Sequence, residues 1–324
     1  MKNRVLFALA ALCGCAGTPS KPPVLKDIRA VPPVFSQEIL AHRKTDGLSV
    51  KIYNTASVMA YGRAVSELKS WTSKFRLDVP VFLIRHPKAG LILFDTGMHP
   101  DMETMPAKKM GRLNHFFVPF KSKPGQTIAA QLKADGTDPA SVKWVVISHY
   151  HLDHAGSIES FPGATILVDK REWETQRAKQ AAKFDERELD PASLEKKLKV
   201  SLIDFSASEP YGAFDHGFDL FHDGTVILLD LAGHTAGNMG AWVNLDSGPA
   251  LFAGDATWIM DNHRDLALPV KGHIYDLNQY WRRLYMLRAM QEAVPQLVIF
   301  PGHDLTPLKL QPRPDITLVP FPRP

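Results

Sequence analysis

The chain contains very little cysteine. Only Cys13 and Cys15 occur among its 324 residues, and both stand near the N-terminus. Removal of Cys13 with an N-terminal signal and lipidation of Cys15 would leave no free thiol for catalysis, thiolate metal ligation or disulfide bonds. The sequence also lacks a run of basic residues, and its formal net charge is +4. These deficits argue against a cysteine-dependent hydrolase and against a nucleic-acid-binding surface.

The N-terminal segment MKNRVLFALAALCGC (1–15) combines a basic start with an apolar run that is too short for a membrane span. This pattern predicts a secretory signal. Its end resembles a bacterial lipobox, in which the last cysteine is lipidated and becomes the new N-terminus. We therefore expect a periplasmic protein with a lipid on Cys15, and Ala16 after it favours the outer membrane. A plain signal or an uncleaved anchor is the alternative.

The remainder of the chain divides into a tether and one domain. Residues 16–40 are rich in proline and lack periodicity, which predicts a tether. We interpret residues 41–324 as a single domain, since 45% apolar and 22% charged residues are ordinary for a globular protein. Short apolar runs alternate with amphipathic segments, which predicts an α/β fold. KWVVIS (143–148) is expected to be a buried strand and 276–292 a helix, with Asp276 as its N-cap.

Polar residues crowd the segment that follows this strand. SHYHLDHAG (148–156) contains His149, His151, Asp153 and His154 within six positions. It is either a polar turn or part of a metal site. Alternate residues share a face, so His149 and His151 can approach one ion while Asp153 and His154 turn toward a second. Zinc needs about four ligands, and one loop cannot supply two such sets. A metal site therefore requires further ligands at other strand ends.

Three residues meet this requirement. His234, Asp255 and His303 each follow an apolar run and a glycine, in LLDLAGH, LFAGD and LVIFPGH. The glycine lets the backbone turn sharply and direct the next side chain into a cleft. One histidine at a strand end is more often a capped core or surface residue than a ligand. The joint arrangement indicates a metal site.

The motifs HYHLDH, GHTAG, GDATW and PGHD, in this order, resemble those of the metallo-β-lactamase-fold hydrolases over about residues 80–304. The resemblance implies an α/β fold, a four-layer αβ/βα sandwich with the site along one edge of two sheets. It implies a ligand set for each of two ions: His149, His151 and His234 for the first, Asp153, His154 and His303 for the second, and Asp255 bridging both. It also implies that Asp95, in LFDTGMHP, orients the ligands by hydrogen bonds without binding metal.

The chemistry follows from such a pair of ions. Two divalent cations about 3.5 to 4 Å apart lower the pKa of a bridging water enough to give hydroxide at neutral pH. We expect this hydroxide to attack a lactone or carboxylic ester carbonyl, with Asp153 and Asp255 as the catalytic carboxylates and Asp153 accepting or delivering a proton. Zinc is the expected metal, and iron, manganese and cobalt suit the same ligands.

Within the family, LFDTGMHP, SHYHLDHAG, GDATW and PGHD are most similar to the quorum-quenching N-acyl-homoserine lactonases. Those enzymes commonly have a tyrosine three residues after the bridging aspartate, where this chain has Trp258. An indole N–H donates a hydrogen bond but cannot act as an acid in the way a phenol can. Tyr150 and His263 are candidates to replace the phenol, although Tyr150 is as easily a packing residue. The alternatives are a cysteine-free β-lactamase, a phosphodiester or sulfate-ester hydrolase, and a metal-binding lipoprotein without turnover.

The segment 97–120 is long for a connection in a compact domain, and it is rich in methionine and phenylalanine. These side chains either pack the segment onto the body or form an adaptable apolar wall for the substrate. On the second interpretation, Met98, Phe116 and Phe117 contact a small molecule with an apolar portion, beside Trp258. His263 and His273 we expect at the surface rather than among the ligands. The sequence indicates no oligomeric state.

Overall fold

The computed structural model describes residues 45–101, 124–181 and 189–320. The predicted signal, the tether, Cys15, Phe116 and Phe117 lie outside these residues, and the predictions on them stay predictions. Within the described ranges, no helix combines the length and the apolar character that crossing a bilayer requires.

The described elements are strands and helices in alternation. The strands are β1 (Ser49–Tyr61), β2 (Lys74–His86), β3 (Gly90–Phe94), β4 (Val142–Val146), β5 (Thr165–Asp169), β6 (Lys199–Ile203), β7 (Gly217–Asp219), β8 (Val226–Asp230), β9 (Met239–Leu245), β10 (Gly248–Phe252), β11 (Val298–Phe300) and β12 (Ile316–Leu318). The helices are α1 (Gly62–Val65), α2 (Ile128–Ala134), α3 (Lys170–Ala181), α4 (Pro191–Lys197), α5 (Met260–Asp265), α6 (Leu277–Ala293) and α7 (Thr306–Leu310).

The strands form two sheets. The larger has the order β12-β1-β2-β3-β4-β5-β6, and the smaller has the order β11-β10-β9-β8-β7. Strands β3 to β6 run parallel, while β8, β9 and β10 pair antiparallel. Strands β5 and β8 are buried at every position, which explains why TILVD and VILLD read as almost continuous apolar runs.

The two sheets pack face to face, and helices cover their outer faces. Between the sheets, Phe82 of β2 stacks on Phe252 of β10 with ring centroids 4.0 Å apart. On the outer face of the larger sheet lie Leu132 of α2 and Trp173 of α3. Leu287 of α6 covers the smaller sheet in the same way. The predicted four-layer αβ/βα sandwich is confirmed.

Helix α6 connects the outer layer to the loop of His234. Asp276 caps the helix as expected, since its carboxylate accepts hydrogen bonds from the backbone N–H groups of Asn278 and Gln279. The backbone N–H groups of Tyr275 and Asp276 donate to the carbonyls of His234 and Gly233, at 3.0 and 2.9 Å. The start of the helix thereby holds the turn after β8.

Strand β4 ends at Val146, two residues earlier than the sequence predicts. Ser148 leaves the ladder because its backbone N–H donates to the carboxylate of Asp95 at 2.7 Å, while its carbonyl accepts from Met239 N at 2.8 Å. The early end brings the segment that begins at His149 to the edge shared by both sheets.

Candidate metal centre

Loops from both sheets meet at this edge. The segment from His149 to His154 follows β4 of the larger sheet. His234, Asp255 and His303 follow β8, β10 and β11 of the smaller sheet. Gly233 and Gly254 precede two of these residues with φ of 146° and 51°, a region open to glycine and rarely used by other residues. The sharp turns expected at these glycines are therefore present.

One group of potential ligands comprises His149, His151, His234 and Asp255, whose donor atoms all lie within 4.8 Å of one another. His151 Nδ1 lies 2.9 Å from His149 Nε2 and 3.1 Å from His234 Nε2. Asp255 Oδ2 lies 3.3 Å from His234 Nε2. Tetrahedral zinc, with bonds of about 2.0 to 2.1 Å, separates its donor atoms by about 3.3 Å. We call these residues the first group.

Asp153, His154 and His303 form the second group, also within 4.8 Å of one another. Asp153 Oδ2 lies 3.6 Å from His303 Nε2 and 4.0 Å from His154 Nε2. Asp255 Oδ1 lies 3.3 Å from both histidine Nε2 atoms. The carboxylate of Asp255 thus presents Oδ2 to the first group and Oδ1 to the second. The structure brings all seven predicted ligands together.

The tautomers of these histidines suit metal binding. His303 Nδ1 donates to the carbonyl of Asp78 at 2.8 Å, and His154 Nδ1 donates to Asp95 Oδ2 at 2.8 Å. In the neutral imidazole, the Nε2 atom that faces the site is then a lone-pair donor. Within the described chain, His154 Nε2 and Asp255 Oδ1 are buried without a hydrogen bond of acceptable geometry. Such atoms carry a desolvation cost of about 1 to 3 kcal/mol, which a bound cation would remove. The residues fit two divalent ions.

Asp95 connects the two groups through hydrogen bonds to the Nδ1 side of their histidines. Its carboxylate accepts from Ser148 Oγ at 2.9 Å as well as from His154 Nδ1. Ser148 Oγ in turn accepts from His149 Nδ1 at 3.0 Å. Asp95 has a φ of 62°, which is uncommon for a residue other than glycine and is found where surrounding contacts fix the backbone. The carboxylate therefore orients one histidine of each group.

The potential ligands differ in their charge. Burial lowers the pKa of His149 and of His234 well below the usual value, so both imidazoles are neutral. Burial alone would raise the pKa of Asp255, but His303 and His154 hold it well below its usual range. Burial alone would lower the pKa of His154 and of His303, but Asp255 raises both. The ionised carboxylate that faces the neutral imidazoles of His149 and His234 attracts a cation.

Trp258 forms part of the wall of this site. Its ring lies 5.7 Å from that of His234 and 6.3 Å from that of His303, so it contacts one ligand of each group. The side chain is 9% exposed, and its indole N–H has no hydrogen-bond partner among the residues that the structure describes. The ring of His273 also packs on this indole, with ring centroids 5.3 Å apart. The indole N–H is therefore a buried donor without a partner among the described residues.

Two of the predicted substrate contacts lie elsewhere. Tyr150 is 1% exposed, and its ring packs 5.6 Å from that of Trp173 on the outer face of the larger sheet. The Tyr150 ring therefore lies away from the site at which His149 and His151 meet. Met98 is completely buried in a small cluster with Ala56 and Val79. Neither side chain presents a surface to a substrate.

His263 is buried rather than exposed, contrary to expectation. Burial lowers its pKa to about 4, and its Nδ1 lies 3.0 Å from Thr257 Oγ1. It supports the turn after Asp255 and does not replace the missing phenol. His273 is only partly buried, yet it stands beside Trp258, which its position in the sequence did not suggest.

A family model described as the metallo-beta-lactamase superfamily matches residues 75–303. The chain belongs to the metallo-β-lactamase superfamily. The match ends at His303, so it includes every residue of both ligand groups.

Relatives within the superfamily are named as lactonases. The N-acyl homoserine lactonase AttM of Agrobacterium fabrum is 33% identical over 234 residues, which cover 71% of this chain and 83% of that protein. AttM of Azorhizobium caulinodans is 32% identical with the same coverage. A solved N-acyl homoserine lactone hydrolase, with N-hexanoyl-L-homoserine at its catalytic metal centre, has a TM-score of 0.65 at 22% identity, covering 81% of this chain and 95% of that one. The predicted resemblance is confirmed, and the chain is a hydrolase similar to these lactonases.

Proposed function

We propose that the protein is a dinuclear metal-dependent lactonase that opens N-acyl-homoserine lactones, with related lactones and carboxylic esters as further substrates. The observation that carries the proposal is the carboxylate of Asp255, which offers one oxygen to each ligand group at 3.3 Å. The names of the AttM relatives support the substrate class. Two zinc ions are the proposed cofactors.

Two divalent ions bound there would polarise the substrate carbonyl and lower the pKa of a water molecule to about 7. The side chain of Asp153 is 19% exposed, whereas that of Asp255 is 4% exposed. Asp153 is therefore placed to take a proton from the attacking water and to give it to the ring oxygen that leaves. Ring opening then yields a carboxylate and an alcohol, with a net release of one proton near neutral pH.

Trp258 binds the substrate in this proposal. Its N–H donates to a carbonyl oxygen of the substrate, because a buried donor without a partner is costly and a carbonyl satisfies it. An indole does not supply a proton at neutral pH. The proton that the leaving oxygen needs must come from another group, and Asp153 is the carboxylate with access to solvent.

The test is proton release at constant pH from the purified, zinc-loaded protein. Substrates are a long-chain N-acyl-homoserine lactone, a γ-lactam, a β-lactam, an aryl ester and a phosphodiester. We expect the lactone to turn over with the highest kcat/KM and the activity to disappear in Asp255→Ala. A lactone that stays intact while another substrate is hydrolysed would show that the substrate assignment is wrong. Metal analysis of protein purified without added metal checks whether zinc, iron, manganese or cobalt is bound.

We further propose that the protein is exported to the periplasm and anchored to the outer membrane by a lipid on Cys15. The support is the basic and apolar segment that ends in Leu12-Cys13-Gly14-Cys15. Labelling with a fatty-acid probe should persist in Cys13→Ala and be lost in Cys15→Ala. Labelling of neither protein would contradict the anchor.

A further inference from the structure

Glu172 lies beneath the metal site without belonging to it. It is in the first turn of α3, and it is 5% exposed. Its Oε1 accepts a hydrogen bond from the backbone N–H of Tyr150 at 3.0 Å. Its Oε2 accepts one from the backbone N–H of Gly237 at 3.0 Å. One buried carboxylate therefore holds backbone groups of two different loops.

Both loops supply ligands of the first group. The peptide N–H of Tyr150 stands between His149 and His151, and Gly237 is three residues after His234. Fixing the amide of Tyr150 fixes the peptide from which the two flanking histidines project in the same direction. Glu172 thus joins the loop with the pair of histidines from the larger sheet to the loop with the single histidine from the smaller sheet.

The approach of the second loop is close. A Cβ at Gly237 would lie 2.6 Å from Asp169 Oδ1 and 2.7 Å from the backbone nitrogen of Glu172. Any side chain at this position would move the loop away from α3. The glycine of GHTAGN is therefore explained by contact with the start of this helix, and that contact keeps the amide within reach of Glu172.

A carboxylate suits this position for a geometric reason. Each of its two oxygens accepts a hydrogen bond, whereas an amide side chain would present an NH₂ group to one of the backbone donors. Burying a carboxylate is costly unless it is hydrogen-bonded. The adjacent Arg171 donates to Asp169 and Asp230. The two backbone amides supply hydrogen bonds to the Glu172 carboxylate, and the side chain of Thr235 interacts with it as well.

The second group is held by other contacts. His154 is oriented by Asp95 and His303 by the carbonyl of Asp78. His234, in contrast, has a buried Nδ1 with no hydrogen-bond partner in the part of the chain that is described. Its direction depends on the backbone of its loop, which the start of α6 holds at Gly233 and His234 and which Glu172 holds at Gly237.

We propose that Glu172 is a positioning residue that sets the affinity of the first group for its metal ion. It joins the loop of His149 and His151 to the loop of His234 and touches neither the ion nor the substrate. The inference rests on the proposed function only in requiring that the site binds metal.

The test measures each ion separately. His303→Ala leaves the first group intact, and His234→Ala leaves the second group intact. Competition with a chromophoric chelator gives the dissociation constant for zinc in each background, with and without Glu172→Gln. We expect Glu172→Gln to raise the dissociation constant by about 10- to 100-fold in the His303→Ala background and to leave it unchanged in the His234→Ala background. The absorption spectrum of bound cobalt should change only in the first case.

Glu174→Gln is the matched control, because Glu174 lies on the same helix and is exposed. It should leave both constants unchanged. Glu172→Asp keeps the charge but shortens the side chain, so it should raise the dissociation constant of the first group by less than Glu172→Gln does. It replaces Glu172→Gln in the test if that variant does not fold. Equal weakening of both ions, or an unchanged first ion, would overturn the inference. Chelator competition does not depend on turnover, so a protein that binds both ions but leaves lactones intact would contradict only the proposed substrate.

Discussion

The two ligand groups orient their histidines in different ways. In the second group, both imidazoles are fixed directly, since His154 Nδ1 donates to Asp95 and His303 Nδ1 donates to the carbonyl of Asp78. In the first group, His234 Nδ1 finds no hydrogen-bond partner among the described residues, and its direction comes from its loop. His149 of the first group is held through Ser148, so the difference between the groups lies in His234, which depends on backbone contacts of its loop. The two groups should respond to different mutations.

Removal of metal should have the largest effect and should separate the two groups. Dialysis against a chelator should abolish turnover, and stepwise return of zinc should restore it only as the second equivalent binds. Metal at about 100 times its dissociation constant stabilises the folded state by about 2.7 kcal/mol per site, so the melting temperature should also fall. Calorimetric titration and thermal melts measure both effects. Full activity after one equivalent would contradict a site that needs both ions.

Asp255→Ala should weaken metal binding in both groups alike, because each group loses the carboxylate oxygen that faces it. We expect kcat to fall by about 1000-fold or more, since metal ions contribute several kcal/mol to such reactions. Steady-state kinetics and metal analysis on the same sample provide the measurement. Exposed Asp46 gives the control Asp46→Asn, which should behave as the unmodified protein. Retention of two tightly bound ions in Asp255→Ala would show that the carboxylate does not bridge.

Asp95→Asn should weaken metal binding in the two groups to different extents. The second group loses a direct contact to His154, whereas the first loses only an indirect one through Ser148 and His149. We expect the second ion to weaken by about 10- to 100-fold and the first ion by less. Chelator competition in the His234→Ala and His303→Ala backgrounds separates the two. A larger loss at the first ion would reverse our interpretation of Asp95.

Trp258→Phe should have the smallest effect and should leave both groups intact. The ring that packs on His234 and His303 is kept, and only the N–H is lost. A hydrogen bond is worth about 0.5 to 1.5 kcal/mol, so kcat/KM should fall by up to about tenfold with unchanged metal content. Trp71→Phe, at an exposed position, is the control. An unchanged kcat/KM in Trp258→Phe would remove this N–H from substrate binding.

The seven residues of the two groups were predictable from the sequence because their signal is local. Each of His234, Asp255 and His303 follows an apolar strand and a glycine, and the fold brings such strand ends to one edge. Tyr150, between His149 and His151, was open to two interpretations from the sequence, as a substrate contact and as a packing residue. The structure supports the packing interpretation, since the Tyr150 ring packs on Trp173.

The supporting residues were not predictable in this way. Asp95 and Ser148 are 53 positions apart, and His303 and Asp78 are 225 positions apart. Only the packed fold pairs them. Glu172 is one of several acidic residues in a polar helix, and nothing in REWETQ distinguishes it from exposed Glu174. The burial of His263 likewise depends on how the turn after Asp255 packs.

The position of Trp258 makes the intrinsic tryptophan fluorescence of the protein a signal for metal binding. The chain has six tryptophans. Among the residues that the structure describes, Trp258 is the one whose ring contacts a histidine of each group. Its emission should therefore change when either group is loaded, and a paramagnetic ion such as cobalt at this range should quench it. Subtracting the emission of Trp258→Phe isolates that contribution from the other five. The occupancy of the centre can then be followed in real time, in an unlabelled protein and without a substrate.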